Sequence, residues 1–165
     1  MGRVIRHACH EDIAAIMKVM DAAKTIMRQS GNMHQWGDDY PSEEVLGVDM
    51  QGRGGYVIED NGSLVGYFAF LPSPEPTYAK IYDGEWLDDR LPYHVIHRIA
   101  SYPNVHGIFK SIMDFCSSLE TNIRIDTHQD NKIMQYNIAK HGFAYCGIIC
   151  LLSGDKRLAY QRMKE

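Results

Sequence analysis

The sequence predicts an α/β fold in which a mixed sheet carries helices on both faces, and three observations support this. Residues 94–119 read as an apolar strand, a turn containing Gly107, and an amphipathic helix. Residues 55–71 read as two β-rich runs that Asn61-Gly62 joins in a hairpin. Residues 122–152 read as a strand, a helix and a strand. The unit 94–128 is likewise a strand, a helix and a strand, which predicts two parallel strands joined by a right-handed crossover.

The remaining elements follow in chain order. Residues 3–9 are predicted to form a strand, and apolar residues at helical spacing from Ile13 to Met27 predict the first helix. Ser42 is a good N-cap for a short helix through about Met50. Residues 72–93 hold four of the six prolines and should be irregular, with one short strand near 78–82. The predicted order then continues with strand 94–101, helix 107–119, strand 122–128, helix 131–141, strand 143–152 and strand 156–163.

Bulk properties exclude several classes of protein. A chain of 165 residues is expected to be one domain, 1–165, and its 45% apolar content is enough to bury a core. The net charge of −4, with no basic run, argues against a nucleic-acid partner. No apolar run is long enough to span a membrane. The four cysteines lack C-x-x-C spacing, so we expect buried thiols, no metal, and a cytoplasmic location.

The turn at Gly107 is a candidate anion site. It delivers a strand directly to a helix N-terminus, where the first backbone N–H groups have no partner within the helix. The helix dipole adds about half a positive charge at that point. Such a turn suits the pyrophosphate of a cofactor.

Two segments resemble one family. The segment IHRIAS followed by NVHGIF is similar to the central motif of the GCN5-related N-acetyltransferase (GNAT) superfamily. Asn104, Gly107 and Phe109 stand at its Gln/Arg, Gly and Gly/Ala positions, and only the glycine matches. Asn131 and the pair Gly142-Phe143 fit the family's C-terminal pattern, and other segments resemble a bacterial subgroup. The resemblance covers nearly the whole chain and implies a GNAT-type fold with a mixed, mostly antiparallel sheet.

The resemblance also implies a co-substrate and a reaction. A GNAT enzyme transfers the acetyl group of acetyl-CoA to a primary amine by direct attack, here on a small molecule or peptide. Backbone groups of the central strand would pair with the pantetheine arm, and those of the turn would hold the pyrophosphate. By position, the cofactor-binding residues would be Ile99, Ala100, Ser101, Asn104, Val105, His106, Gly107, Ile108, Phe109, Lys110, Ser111 and Asn131.

Several residues are candidates for proton transfer or acceptor binding. His97, His128 and Glu85 are candidate bases, and His128 shares a strand face with the carboxylate two residues earlier. The family's usual tyrosine acid falls on Ile138, which leaves Tyr136 and Tyr145 as nearby candidates. Trp36 and Tyr40 lie where the family forms its acceptor wall. For each of these residues an ordinary structural role is an open alternative.

Two other functions stay open at this point. Phe109 and Ile138 depart from the family pattern, which would suit a non-catalytic acyl-CoA sensor or an interaction protein that binds no CoA. The identity of the acceptor and the formation of a homodimer are also open, because no motif in the chain decides either.

Overall fold

A computed structural model describes residues 2–164. Its centre is a seven-stranded sheet in the order β1-β2-β3-β4-β5-β7-β6. Strands β4 and β5 are parallel, as predicted, and every other neighbouring pair is antiparallel. The strands are β1 Arg3–His7, β2 Gly55–Asp60, β3 Ser63–Pro72, β4 His94–Ser101, β5 Asn122–Thr127, β6 Ala144–Cys150 and β7 Lys156–Met163.

Four helices cover the two faces of the sheet, which confirms the predicted fold class. They are α1 Ile13–Gln29, α2 Glu43–Gln51, α3 Ile108–Leu119 and α4 Lys132–Lys140. Helices α1 and α2 share one apolar core with Val57 and Tyr67. Helices α3 and α4 share another with the next residues along the same strands, Ile58 and Phe68. Because successive strand residues point to opposite faces, the two helix pairs lie on opposite sides of the sheet. Within residues 2–164 no helix is long and apolar enough to cross a membrane.

The predicted strand near 78–82 is wrong. Residues Pro76–Tyr78 form a single 3-10 turn, which begins where the Glu75 carboxylate accepts a hydrogen bond from the Thr77 N–H at 3.1 Å. This local capping, together with a proline at the first position, favours a turn over an extended strand. Of residues 78–82, only Tyr82 pairs its backbone with a strand, through an isolated bridge to Ile148.

Most other predicted boundaries of strands and helices agree with the structure within two residues, and a 3-10 turn precedes the first helix. The first strand ends at His7 instead of residue 9. Residues His10–Asp12 form a 3-10 turn that leads into α1. The predicted strand 143–152 is shorter at both ends, since β6 spans Ala144–Cys150.

Strand β4 has an irregularity that creates space for a site. Opposite β3, the pairing shifts so that His97 and Ala100 face Ala69 and Tyr67, which leaves one extra residue in β4. Arg98 lies in this bulge with a φ of 55°. On the other side, pairing with β5 ends at Ile96. Beyond that point β4 and β5 separate, and no other strand described here fills the gap.

Candidate active site

A cavity of about 560 Å³ opens where β4 and β5 separate. Its walls come from the loop between α1 and α2, the bulged part of β4, and the end of β5. The N-terminus of α4, the turn between β6 and β7, and residues 75–77 complete it. These segments are distant in sequence, so the folded sheet is what brings them together.

His97 is at the centre of a chain of ionisable groups on the cavity wall. Its Nε2 lies 3.0 Å from Glu75 Oε1, and its Nδ1 lies 3.9 Å from Asp126 Oδ2. The buried Tyr78 hydroxyl donates a hydrogen bond to the same Asp126 oxygen at 2.5 Å. The hydrogen bond from His97 lowers the pKa of Glu75, and burial followed by Asp126 raises that of Tyr78. Glu75 is therefore an anion and Tyr78 a neutral donor at neutral pH.

A buried ion pair holds the bulge in place. Arg98 Nε donates to Asp49 Oδ2 at 2.9 Å, and only 12% of the Arg98 side chain and 3% of the Asp49 side chain are exposed. The Tyr67 hydroxyl donates to the same oxygen at 2.6 Å. Arg98 Nη1 donates to the Tyr40 hydroxyl at 2.9 Å. Asp49 belongs to α2, so the pair ties the bulge to the helix on that face.

Gln35 fixes the loop between α1 and α2 over the cavity. Its side-chain oxygen accepts hydrogen bonds from Asn32 and Asn131, each at 2.9 Å. Its backbone carbonyl accepts a bond from Arg157 Nη2 at 2.8 Å. Asn131 is also the N-cap of α4, where its oxygen accepts from Met134 N–H at 3.0 Å. One glutamine thus joins this loop to both α4 and β7.

The turn before α3 presents free backbone donors. Gly107 has a φ of 72°, a left-handed conformation that favours glycine. The N–H of Val105 bonds to the Tyr102 carbonyl, and the N–H of Ser111 bonds to the Gly107 carbonyl. Among the described residues, the five N–H groups from 106 to 110 have no hydrogen-bond acceptor. A run of such groups at a helix N-terminus fits an anion such as a pyrophosphate.

The two residues that depart from the family pattern do not obstruct the site. Phe109 is buried in the core under α3 and packs edge-on against His141, with ring centroids 4.9 Å apart. Ile138 is completely buried in the same core. Lys110, the charge near the helix start, instead forms an exposed ion pair with Asp114.

The structure brings some of the candidate residues together and leaves others outside. The candidates that line the cavity are Trp36, Tyr40, His97, Ile99 and Asn131. Ala100 and Ser101 continue along the part of β4 that β5 does not reach, and Asn104, Val105, His106, Ile108 and Ser111 surround the Gly107 turn.

Four of the five candidates for proton transfer lie outside the cavity wall. Glu85, Tyr136 and Tyr145 are exposed. The His128 Nδ1 accepts the Asp130 N–H at 3.0 Å instead of contacting Asp126. Burial, and then the nearby Arg157 charge, lowers the pKa of His128.

Sequence reasoning missed Glu75 and Arg157, which both line the cavity. Glu75 comes from the same proline-rich segment as Glu85, and its position directly before Pro76 was the available signal for a turn. Gln35 belongs to the loop with Trp36 and Tyr40 that was expected to form the acceptor wall, whereas nothing local marks Arg157. Within residues 2–164, no group of three or more His, Cys, Asp or Glu side chains is placed to hold a metal.

Comparison with known proteins identifies the family. No family model and no curated protein matches the chain. Among solved structures, a GNAT family acetyltransferase from Streptococcus agalactiae is 31% identical, covers 100% of this chain and 97% of its own, and gives a TM-score of 0.87. GNAT family acetyltransferases from Listeria monocytogenes and Bacillus cereus share the fold at 20% and 16% identity. Their TM-scores are 0.70 and 0.63, over 98% and 100% of this chain and 95% and 99% of theirs. The identity and full coverage of the streptococcal match show that this chain belongs to the GNAT family of acetyltransferases.

Proposed function

We propose that the protein transfers an acetyl group from acetyl-CoA to a primary amine of a small molecule or peptide by direct attack. The observation that carries this proposal is the cavity at the β4–β5 gap, in which His97 lies between two carboxylates. No cysteine lines that cavity among the described residues, so transfer without an acyl-cysteine intermediate suits the wall.

The chain offers two backbone features to acetyl-CoA, which would supply the thioester. The edge of β4 from His97 to Ser101 is free of β5 and can pair with an extended pantetheine arm. The free N–H groups from 106 to 110 can hold the pyrophosphate. Backbone N–H groups at the Arg98 bulge, where the pairing with β3 shifts, would be the donors for a developing oxyanion.

We assign to His97 the removal of the proton from the attacking amine. With its Nε2–H donated to Glu75, the His97 ring keeps a lone pair on Nδ1, which lies 3.9 Å from Asp126 Oδ2, and both residues line the cavity. His97 Nδ1 would take the proton as the amine nitrogen bonds to the thioester carbon and the carbon–sulfur bond breaks. Glu75, already an anion, would stabilise the imidazolium.

The leaving sulfur also needs a proton, and Tyr40 is the candidate. Tyr40 lines the cavity, and its oxygen accepts a hydrogen bond from Arg98, so its own proton stays available. Tyr78 is less suitable, because its proton is committed to Asp126.

The experiment measures acetyl-CoA binding and thiol release separately. Saturating acetyl-CoA, at a hundred times its Kd, should stabilise the fold by about 2.7 kcal/mol. For a domain of this size, that raises the Tm by roughly 5–10 °C. A panel of amines and peptides should then give amine-dependent release of CoA, detected with a chromogenic thiol reagent.

Two matched histidine variants test the assignment. His97→Gln should lower kcat by about 10²–10⁴ with its acetyl-CoA thermal shift retained. His128→Gln should leave kcat within about twofold, because His128 does not line the cavity. A thermal shift without thiol release from any amine would contradict a transferase and favour an acyl-CoA sensor.

A further inference from the structure

Arg157 is a buried cation on the wall of the cavity. Its side chain comes from the start of β7, and only 5% of the residue is exposed. Its two terminal nitrogens donate to the backbone carbonyls of Lys156 and Gln35 at 2.9 and 2.8 Å. A guanidinium has five N–H donors, so this geometry leaves donor capacity for a ligand.

Arg157 differs from Arg98 and Arg124 in forming no ion pair within the described part of the chain. Arg98 forms its ion pair with Asp49. Arg124 contacts Asp89 and lies between two aromatic rings, with its guanidinium carbon 3.9 and 3.8 Å from their centroids. Arg157 takes part in none of the ion pairs formed within residues 2–164. Burial lowers its pKa, with partial compensation from more distant carboxylates.

A buried charge without a partner is costly, which points to an anion that arrives with the substrate. Asp126 and Asp155 also line the cavity, and neither forms an ion pair with Arg157. The planar guanidinium matches a carboxylate, which it can bind through two parallel hydrogen bonds.

The cavity therefore has a basic side and an acidic side. Asp126 pairs with Ala159 across β5 and β7, and Arg157 lies two residues before Ala159 on the same face. Such diagonal neighbours have α-carbons about 7–8 Å apart. The Glu75–His97–Asp126 chain lies on the acidic side, where an incoming ammonium group would be attracted.

We propose that the acceptor is a small amine that also carries a carboxylate, such as a free amino acid, and that Arg157 binds this carboxylate. The carboxylate would anchor the molecule at β7 while its amino group reaches His97. This inference rests on the proposed acetyl transfer to an amine, because it names the class of acceptor for that site. Arg157 is then a specificity-determining residue of the acceptor pocket.

The test compares binding of an acid with binding of its neutral counterpart. Calorimetric titration of the twenty free amino acids, with and without bound CoA, would identify the best ligand. That amino acid and its primary amide would then be titrated into the wild type, Arg157→Gln and Arg157→Lys. Arg90→Gln serves as a control, because Arg90 is exposed and outside the cavity.

We expect the wild type and Arg90→Gln to bind the acid at least tenfold more tightly than the amide. Arg157→Gln should reduce that ratio to within about twofold, and Arg157→Lys should keep part of it, since lysine retains the charge but loses the two-pronged geometry. The acetyl-CoA thermal shift of both variants should match that of the wild type, which shows that the loop held by Gln35 is still in place.

Three results would overturn the inference. The first is equal binding of acid and amide by the wild type, or no amino acid binding. The second is an equal loss of affinity for the acid and for the amide in Arg157→Gln, which would indicate that the Arg157 side chain is purely structural. The third is weaker acetyl-CoA binding with an unchanged acid-to-amide ratio, which would assign Arg157 to the co-substrate. Because binding is measured without turnover, absence of acetyl transfer would contradict the proposed function and not the carboxylate site.

Discussion

Removing Asp49 should destabilise the protein far more than removing an exposed carboxylate. Only 3% of Asp49 is exposed, and it holds both Arg98 and the Tyr67 hydroxyl. In Asp49→Ala, Arg98 would be a buried cation with no carboxylate, which typically costs about 3–5 kcal/mol. At 2–4 °C per kcal/mol for a domain of this size, the Tm should fall by roughly 6–20 °C. Asp114→Ala, which removes an exposed and solvent-screened ion pair, should leave the Tm close to that of the wild type.

Urea unfolding of both variants provides the measurement, and a double variant separates the causes. Asp49→Ala combined with Arg98→Ala should be less destabilised than the sum of the two single variants, because the unpaired charge disappears with the arginine. A free energy of unfolding for Asp49→Ala within 1 kcal/mol of the wild type would refute the reasoning. It would show that water reaches Arg98 and that the bulge does not depend on the pair.

Three further outcomes are expected. Gly107→Ala should weaken acetyl-CoA binding about tenfold or more in a titration, whereas Gly62→Ala, which has a similar backbone strain (φ 85° against 72°), should not. Tyr40→Phe should lower kcat tenfold or more, and Tyr136→Phe, on the exposed face of α4, should leave it unchanged. The hydrogen bond from Arg6 lowers the pKa of Asp12 to about 2. The stability that the ionised Asp12 adds to the fold is therefore present above about pH 4 and disappears between about pH 4 and 2. Unfolding of Asp12→Asn across that range should lack this component, and a pH profile identical to the wild type would contradict it.

The sequence was sufficient for elements with strong local signals. The Asn61-Gly62 turn marks the β2–β3 hairpin, and the structure has both strands. Apolar spacing and a glycine identified α3, whose first residue is Ile108. The strand predicted near 78–82 is absent, because one capping carboxylate and the burial of Tyr78 favour a turn at Pro76–Tyr78. Local propensity is a weak guide where proline-rich chain packs against a sheet.

The candidate site was less accessible to sequence reasoning, because its contacts are long-range. His97 was a candidate from its strand position, but its partner Glu75 lies 22 residues away on an irregular segment. Gln35 and Arg157 are 122 residues apart and meet only in the folded chain. Their roles follow from the order of strands in the sheet, which places β7 beside β5, and no local pattern encodes that order.

The features that break local rules are concentrated around one cavity. Arg98 adopts a left-handed conformation that costs a non-glycine residue about 1–2 kcal/mol. Asp49 and Arg98 place an ion pair in the core, and Arg157 is buried without an ion pair to any residue from 2 to 164. Natural sequences are otherwise locally consistent, so such conflicts persist where function requires them. The bulge shifts the course of β4, and the ion pair anchors it to α2. We infer that this combination keeps β4 apart from β5 beyond Ile96 and so preserves the gap in which a co-substrate and an acceptor could meet.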